Sequence, residues 1–195
     1  MFQVRFHGRG GQGVVTAAEL LAVAAFDEGR FAQAFPSFGS ERTGAPVVSY
    51  CRLDDREIRS REPINEPDAV LVQDVTLIHQ VDLFGGLAPD GFVLINTSRT
   101  VEELGLADLA ERCDPSHLAT CPATELALEH VGRAVPNAPL LGGFAALTGQ
   151  VPLEALAVAL RERFPGIVGD RNVAAATAAY HHVRAEQEAI RAAAD

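Results

Sequence analysis

Gly8-Arg9-Gly10-Gly11-Gln12-Gly13 joins two segments of unlike periodicity. Before it, Phe2-Gln3-Val4-Arg5-Phe6-His7 alternates apolar and polar side chains, the pattern of a strand with two different faces. After it, residues 14–26 are apolar apart from small polar interruptions, with Glu19 the one charge, and are long enough for a helix. So little polar surface predicts a helix buried against a sheet, with Gly29 ending it. The hexapeptide is therefore G-x-G-x-x-G between a strand and a helix. Glycines there permit positive φ and close approach of the backbone to a ligand, and the helix start offers free N–H groups whose dipole favours an anion. The simplest occupant is a phosphate. The competing reading is that the glycines only let strand and helix pack closely.

A dinucleotide site needs one thing more, an acidic residue at the end of the next strand to hold a ribose hydroxyl. The next strand expected, residues 31–35, ends in Pro36-Ser37. Asp27 and Glu28 precede it and Glu41 follows well beyond it, so NAD is disfavoured.

The 195 residues suffice for one α/β domain with a substantial core, and residues 1–195 read as a single domain. A formal charge of −10, from 16 basic and 26 acidic residues, argues against nucleic acid and anionic membrane as partners, so any anion site must be local. No apolar run approaches the ~20 residues of a membrane span, and the N-terminus lacks a basic and apolar leader. Cys51, Cys113 and Cys121 have neither C-x-x-C nor iron–sulfur spacing and read as reduced thiols. The expectation is a cytoplasmic protein with no metal on this chain.

Downstream, residues 36–46 carry two prolines, two glycines and clustered polar side chains, which marks a structured, functional loop. Residues 47–53 and 57–59 read as a hairpin around Asp54-Asp55-Arg56, implying an antiparallel edge and a mixed sheet. Residues 68–74 and 92–95 read as buried parallel strands, joined through a short helix over 76–82. Asp74 caps that helix or faces a ligand at the strand tip, with capping favoured. A helix over 101–112, a strand over 117–121 and a helix over 123–131 follow. Three more helices, over 137–149, 152–164 and 170–194, form a C-terminal extension, with Asp170 as the N-cap of the last. Gly142-Gly143 inside the first of these costs about 1 kcal/mol per glycine relative to alanine, which suggests that another backbone or a cofactor comes close. The fold class is thus α/β, a Rossmann-like, mostly parallel mixed sheet flanked by helices. Adjacent His181 and His182 diverge on a helix and cannot share a metal ion. Only His7 borders the glycine loop, where it fixes loop geometry.

Taken together, His7-Gly8-Arg9-Gly10-Gly11-Gln12-Gly13-Val14-Val15-Thr16-Ala17-Ala18, Gln33-Ala34-Phe35-Pro36-Ser37-Phe38-Gly39-Ser40-Glu41-Arg42-Thr43-Gly44-Ala45-Pro46-Val47, Asn137-Ala138-Pro139-Leu140-Leu141-Gly142 and Arg163-Phe164-Pro165 with Asn172 resemble one family. It is the gamma subunit, or gamma domain, of 2-oxoacid:ferredoxin oxidoreductases, and the likeness covers almost the whole chain. The resemblance implies that thiamine diphosphate with Mg and the iron–sulfur clusters sit on partner subunits of alpha, beta and delta type. It also implies that electrons leave to ferredoxin or another acceptor and that this chain helps to hold coenzyme A. Carried over, residues 8–13 and 40–44 flank the coenzyme: Arg42 and Arg9 supply positive charge for its phosphates, Ser40 and Thr43 lie in the second loop, and Asn137 offers its amide. An independent NAD(P)- or flavin-binding enzyme and a purely structural subunit stay open beside this reading.

Overall fold

The computed structural model describes residues 1–37 and 43–194. The chain runs β1 (Phe2–Arg9), α1 (Val14–Asp27), β2 (Phe31–Pro36), β3 (Pro46–Asp54), β4 (Ala69–Val72), β5 (Phe92–Asn96), α2 (Ala107–Arg112), β6 (Leu118–Cys121), α3 (Ala123–Val131), α4 (Asn137–Thr148), α5 (Leu153–Arg163) and α6 (Ile167–Ala194). The strands form a six-stranded sheet in the order β2-β3-β1-β4-β5-β6. β1, β4, β5 and β6 are mutually parallel neighbours, and β3 lies antiparallel to both β1 and β2.

The expected mixed sheet is present, but its antiparallel part arises differently. Residues 57–59 form no strand; β3 pairs instead with β1 from Phe2↔Leu53 to Arg9↔Pro46 and with β2 from Phe31↔Asp54 to Pro36↔Ser49. β3 is therefore internal. The hairpin reading failed because the turn at 54–56 is real while the segment after it has no strand left to pair with; Glu57 and Arg59 bond each other at the surface.

The alternation in β1 divides the two faces. Val4 and Phe6 point into a large core shared with α1, α4, α5 and α6, while Arg5 and His7 point to the opposite face. That second face is covered by short turns, loops and α2, through Leu77, Leu83, Leu104 and Leu109 against Val70, Val72, Val93 and Ile95. Arg5 is accommodated there by the carbonyls of Leu83 and Gly85, at 2.9 and 2.7 Å. The inner side of α1 is buried, as its composition predicts, although Phe26 at its outer end is 69% exposed.

Three helix boundaries move. The helix expected over 76–82 is a single 3-10 turn (Val75–His79) whose N-cap is Asp74, accepting from Thr76 N–H. Only Ala107–Arg112 of the 101–112 segment is α-helical, because Gly105 adopts positive φ and breaks the run. α6 begins at Ile167, so Asp170 lies within its first turn and is not its N-cap. The close approach inferred at Gly142 is to backbone: a Cβ there would collide with the carbonyl oxygen of Ala176 on α6. Gly143 faces the side chains of Leu94 and Val183 instead.

Candidate functional site

β1 delivers the glycine loop to the C-terminal ends of the parallel strands, where open α/β sheets bind ligands. Gly11 and Gly13 adopt φ of 96° and 72°, and Gly13 is the N-cap of α1 with no side-chain cap over the helix start. The first N–H groups of α1 and the positive end of its dipole are left facing outward. Gly13 also has no room for a side chain, since a Cβ would stand 2.5 Å from Asn137 Nδ2. Asn137, at the start of α4 and 4% exposed, therefore packs directly on the glycine loop, with its Oδ1 accepting from Ala138 N–H at 2.8 Å.

The second loop meets the first. Gly10 forms a bridge with Thr43; Gly10 N–H donates to Ala45 O at 2.9 Å, and Gly44 N–H donates to Gly10 O at 3.1 Å. Thr43 is exposed beside this bridge. Ser40 and Arg42, the other two residues expected in this loop, lie outside the described residues.

Sequence reasoning missed the network that holds the loops. Gln12 folds back so that its Oε1 accepts from Arg9 N–H at 2.8 Å while its Nε2 donates to Asp74 Oδ2 at 2.7 Å. The Arg9 guanidinium donates to Thr76 Oγ1 at 2.8 Å, Gln80 Oε1 at 3.0 Å and Gly44 O at 3.0 Å, and its Nε lies 3.3 Å from Asp74 Oδ2. Its hydrogen-bonding edge is thus turned to protein, and it clasps the second loop through Gly44. Burial pushes the Asp74 carboxyl up, but the Thr76 hydroxyl, the Gln12 amide and Arg9 outweigh that and hold it below the ordinary aspartate range. The only sequence signal for this network was the position of Asp74 at a strand tip.

His7 is 6% exposed, and its Nε2 has no partner among the described residues. Burial, reinforced by the Arg5 cation, lowers its pKa to about 4, so the imidazole is neutral at ordinary pH. Its backbone carbonyl accepts from Gln73 N–H at 2.7 Å, which continues the β1–β4 pairing to the site. Among the described residues no three His, Cys, Asp or Glu side chains gather to hold a metal ion, and no helix is long and apolar enough to cross a membrane.

Clefts open on both sides of the start of α1, both touching Gly11, Gly13 and Thr16. The arrangement can hold an anionic group at the helix start between two backbone loops.

The model of one family, pyruvate ferredoxin/flavodoxin oxidoreductase, matches residues 3–182. Pyruvate synthase subunit PorC of Methanothermobacter marburgensis is 46% identical over 184 residues, 94% of this chain and 98% of that one. The pyruvate/ketoisovalerate oxidoreductases common subunit gamma of Thermococcus kodakarensis is 47% identical over 181 residues, 93% of this chain and 96% of that one. Among solved structures, the pyruvate oxidoreductase subunit PORC of Thermotoga maritima superposes with a TM-score of 0.78 at 36% identity, covering 92% of this chain and 95% of that one.

Proposed function

The chain belongs to the pyruvate ferredoxin/flavodoxin oxidoreductase family, and from that premise we propose that it is the gamma subunit of a multisubunit 2-oxoacid oxidoreductase in the cytoplasm. In this reading residues 1–195 act as one domain that holds coenzyme A and joins the chains carrying the redox groups. Thiamine diphosphate with Mg and iron–sulfur clusters on alpha-, beta- and delta-type partners supply the oxidative decarboxylation and the electron path to ferredoxin or a similar acceptor. What this chain contributes is binding.

The observation that carries the reading is the contact of the two glycine-bearing loops at Gly10 and Thr43, beside the uncapped start of α1. Backbone N–H groups and the helix dipole suit a phosphate, and the glycines let it come close. Asn137, fixed against Gly13, presents its amide to the same place. Gly8, Gly10, Gly11 and Gln12 shape the cradle; Thr43 borders it from the second loop, and Ser40 and Arg42 are further proposed coenzyme contacts. Arg9 acts through the loops it holds. The two-enzyme name of the Thermococcus kodakarensis relative supports leaving the choice of oxoacid to other subunits.

Purification under mild conditions tests the assignment: the chain should come with thiamine- and cluster-bearing subunits, and its isolation as a solitary protein would overturn the reading. In the assembled enzyme, Arg42→Ala should raise the apparent KM for coenzyme A and leave that for the oxoacid alone. An unchanged KM for coenzyme A removes Arg42 from the site.

A further inference from the structure

The two clefts beside α1 differ in chemistry, and the difference orients the ligand. Resting on the coenzyme A reading above, we propose that the phosphate-bearing nucleotide end of the coenzyme lies in the cleft toward the C-terminal helices, selected by Arg133 and Arg163. The pantetheine arm crosses the start of α1 toward Val15 and Val47.

Arg133 follows α3 and Arg163 ends α5; both are exposed, and both line this cleft. Among the described residues neither has a carboxylate within ion-pair distance, and no carboxylate lines the cleft. The formal charge of the molecule is −10, and where Arg9, Arg30, Arg59, Arg161 and Arg184 each stand beside an Asp or Glu, this cleft gathers two arginines and no acid. Two guanidiniums at the positive end of α1, with no carboxylate paired to them among the described residues, create a local positive field on an acidic protein, the condition for capturing a polyanion. Val131, Val135, Phe164 and Val168 make the remaining wall apolar, and the Arg163 guanidinium lies 5.6 Å from the Phe164 ring centre. A flat heteroaromatic ring can lie on such a surface while its phosphates reach the arginines. Asn172, 7% exposed, donates its Nδ2 to Val168 O at 2.9 Å and keeps its Oδ1 for a ligand donor.

At 230 Å³ this cleft is smaller than the roughly 300–1,000 Å³ of pockets that take a whole ligand, so it holds one end of a longer molecule. The neighbouring cleft, 320 Å³, shares Gly11, Gly13 and Thr16 and continues over Val14, Val15 and Val47. Its one charged residue is Arg9, most of whose donors are engaged with protein acceptors. An uncharged chain fits along Val14, Val15 and Val47, beyond the helix start that the two clefts share. The thiol consequently leaves on the β3 side of the glycine loop, and the thiamine-bearing partner must stand there to load it.

Calorimetric binding to the assembled enzyme tests this without turnover, with coenzyme A, dephospho-coenzyme A and pantetheine as probes. Arg133→Gln with Arg163→Gln should weaken coenzyme A about tenfold or more, the loss expected for charge-assisted phosphate contacts, and leave pantetheine unchanged. Arg133→Lys with Arg163→Lys should recover most of the affinity, because the charge returns on a side chain that packs differently. Unchanged coenzyme A affinity in the glutamine variant, or equal weakening of pantetheine, overturns the orientation. If the wild-type enzyme binds coenzyme A and the glutamine variant binds it equally well, the orientation alone fails; if the assembled wild-type enzyme binds no coenzyme A, the coenzyme reading fails with it.

Discussion

The carboxamide of Gln12 donates to Asp74 at 2.7 Å, linking the turn before α1 to the tip of β4 across two elements distant in sequence. Through that bond, and through the ion pair of Asp74 with Arg9, one carboxylate sets the shape of both loops. Asp74 thereby both caps the 3-10 turn after it and anchors the site.

Gln12→Ala removes two hydrogen bonds from this network and should destabilise the protein by about 1–2 kcal/mol while weakening coenzyme A binding. Urea unfolding beside a binding titration measures both. Equal binding with reduced stability would mean the bonds serve folding alone. Because the Asp74 pKa is depressed in the folded state, its contribution is present above the ordinary aspartate value of about 3.9 and disappears as pH falls through its lower folded value. Asp74→Asn should flatten the stability profile in that acid range only.

His7 acts in a separate window. Its folded pKa of about 4 lies below the unfolded 6.5, so the unfolded chain binds the proton more readily between these values. Stability should therefore be intact above about pH 6.5 and fall as pH drops toward about 4. The difference of roughly 2.5 pH units corresponds to about 3 kcal/mol at full effect. Thermal unfolding across that range should show the slope in the wild type and lose it in His7→Gln. A wild-type profile that is flat there would mean His7 charges freely in the native state.

Gly142 and Gly143 should answer differently to the same substitution. Gly142→Ala sets a methyl against the Ala176 carbonyl, a backbone atom of α6 that cannot swing aside, so α4 and α6 must separate. A loss of about 1–3 kcal/mol or more is expected. At Gly143 the neighbours are Leu94 Cδ2 at 3.1 Å and Val183 Cγ2 at 3.2 Å, side-chain ends that can shift, and the gain in helix propensity of about 1 kcal/mol offsets the crowding. Denaturant midpoints of the two variants should differ accordingly; equal losses would place the tight contact elsewhere.

Much of this protein follows from local pattern. The alternation of β1, the glycine loop, the apolar α1, the strand ahead of Asp74 and the C-terminal helices are readable because each is carried by side chains a few residues apart. Tertiary structure alone decided whatever depends on a partner distant in the chain. β3 is internal because β1 and β2 supply hydrogen bonds on either side of it, and no periodicity within residues 46–54 can say so. Arg9 looked free for phosphate in the sequence, yet Thr76, Gln80 and Asp74 surround it once β4 lies beside β1. Arg133 and Arg163 belong to one cleft only because α3 and α5 end near the same glycine loop. Short-range propensity determines which elements form; electrostatic and hydrogen-bonding roles wait for the packing that brings donors and acceptors within about 3 Å of each other.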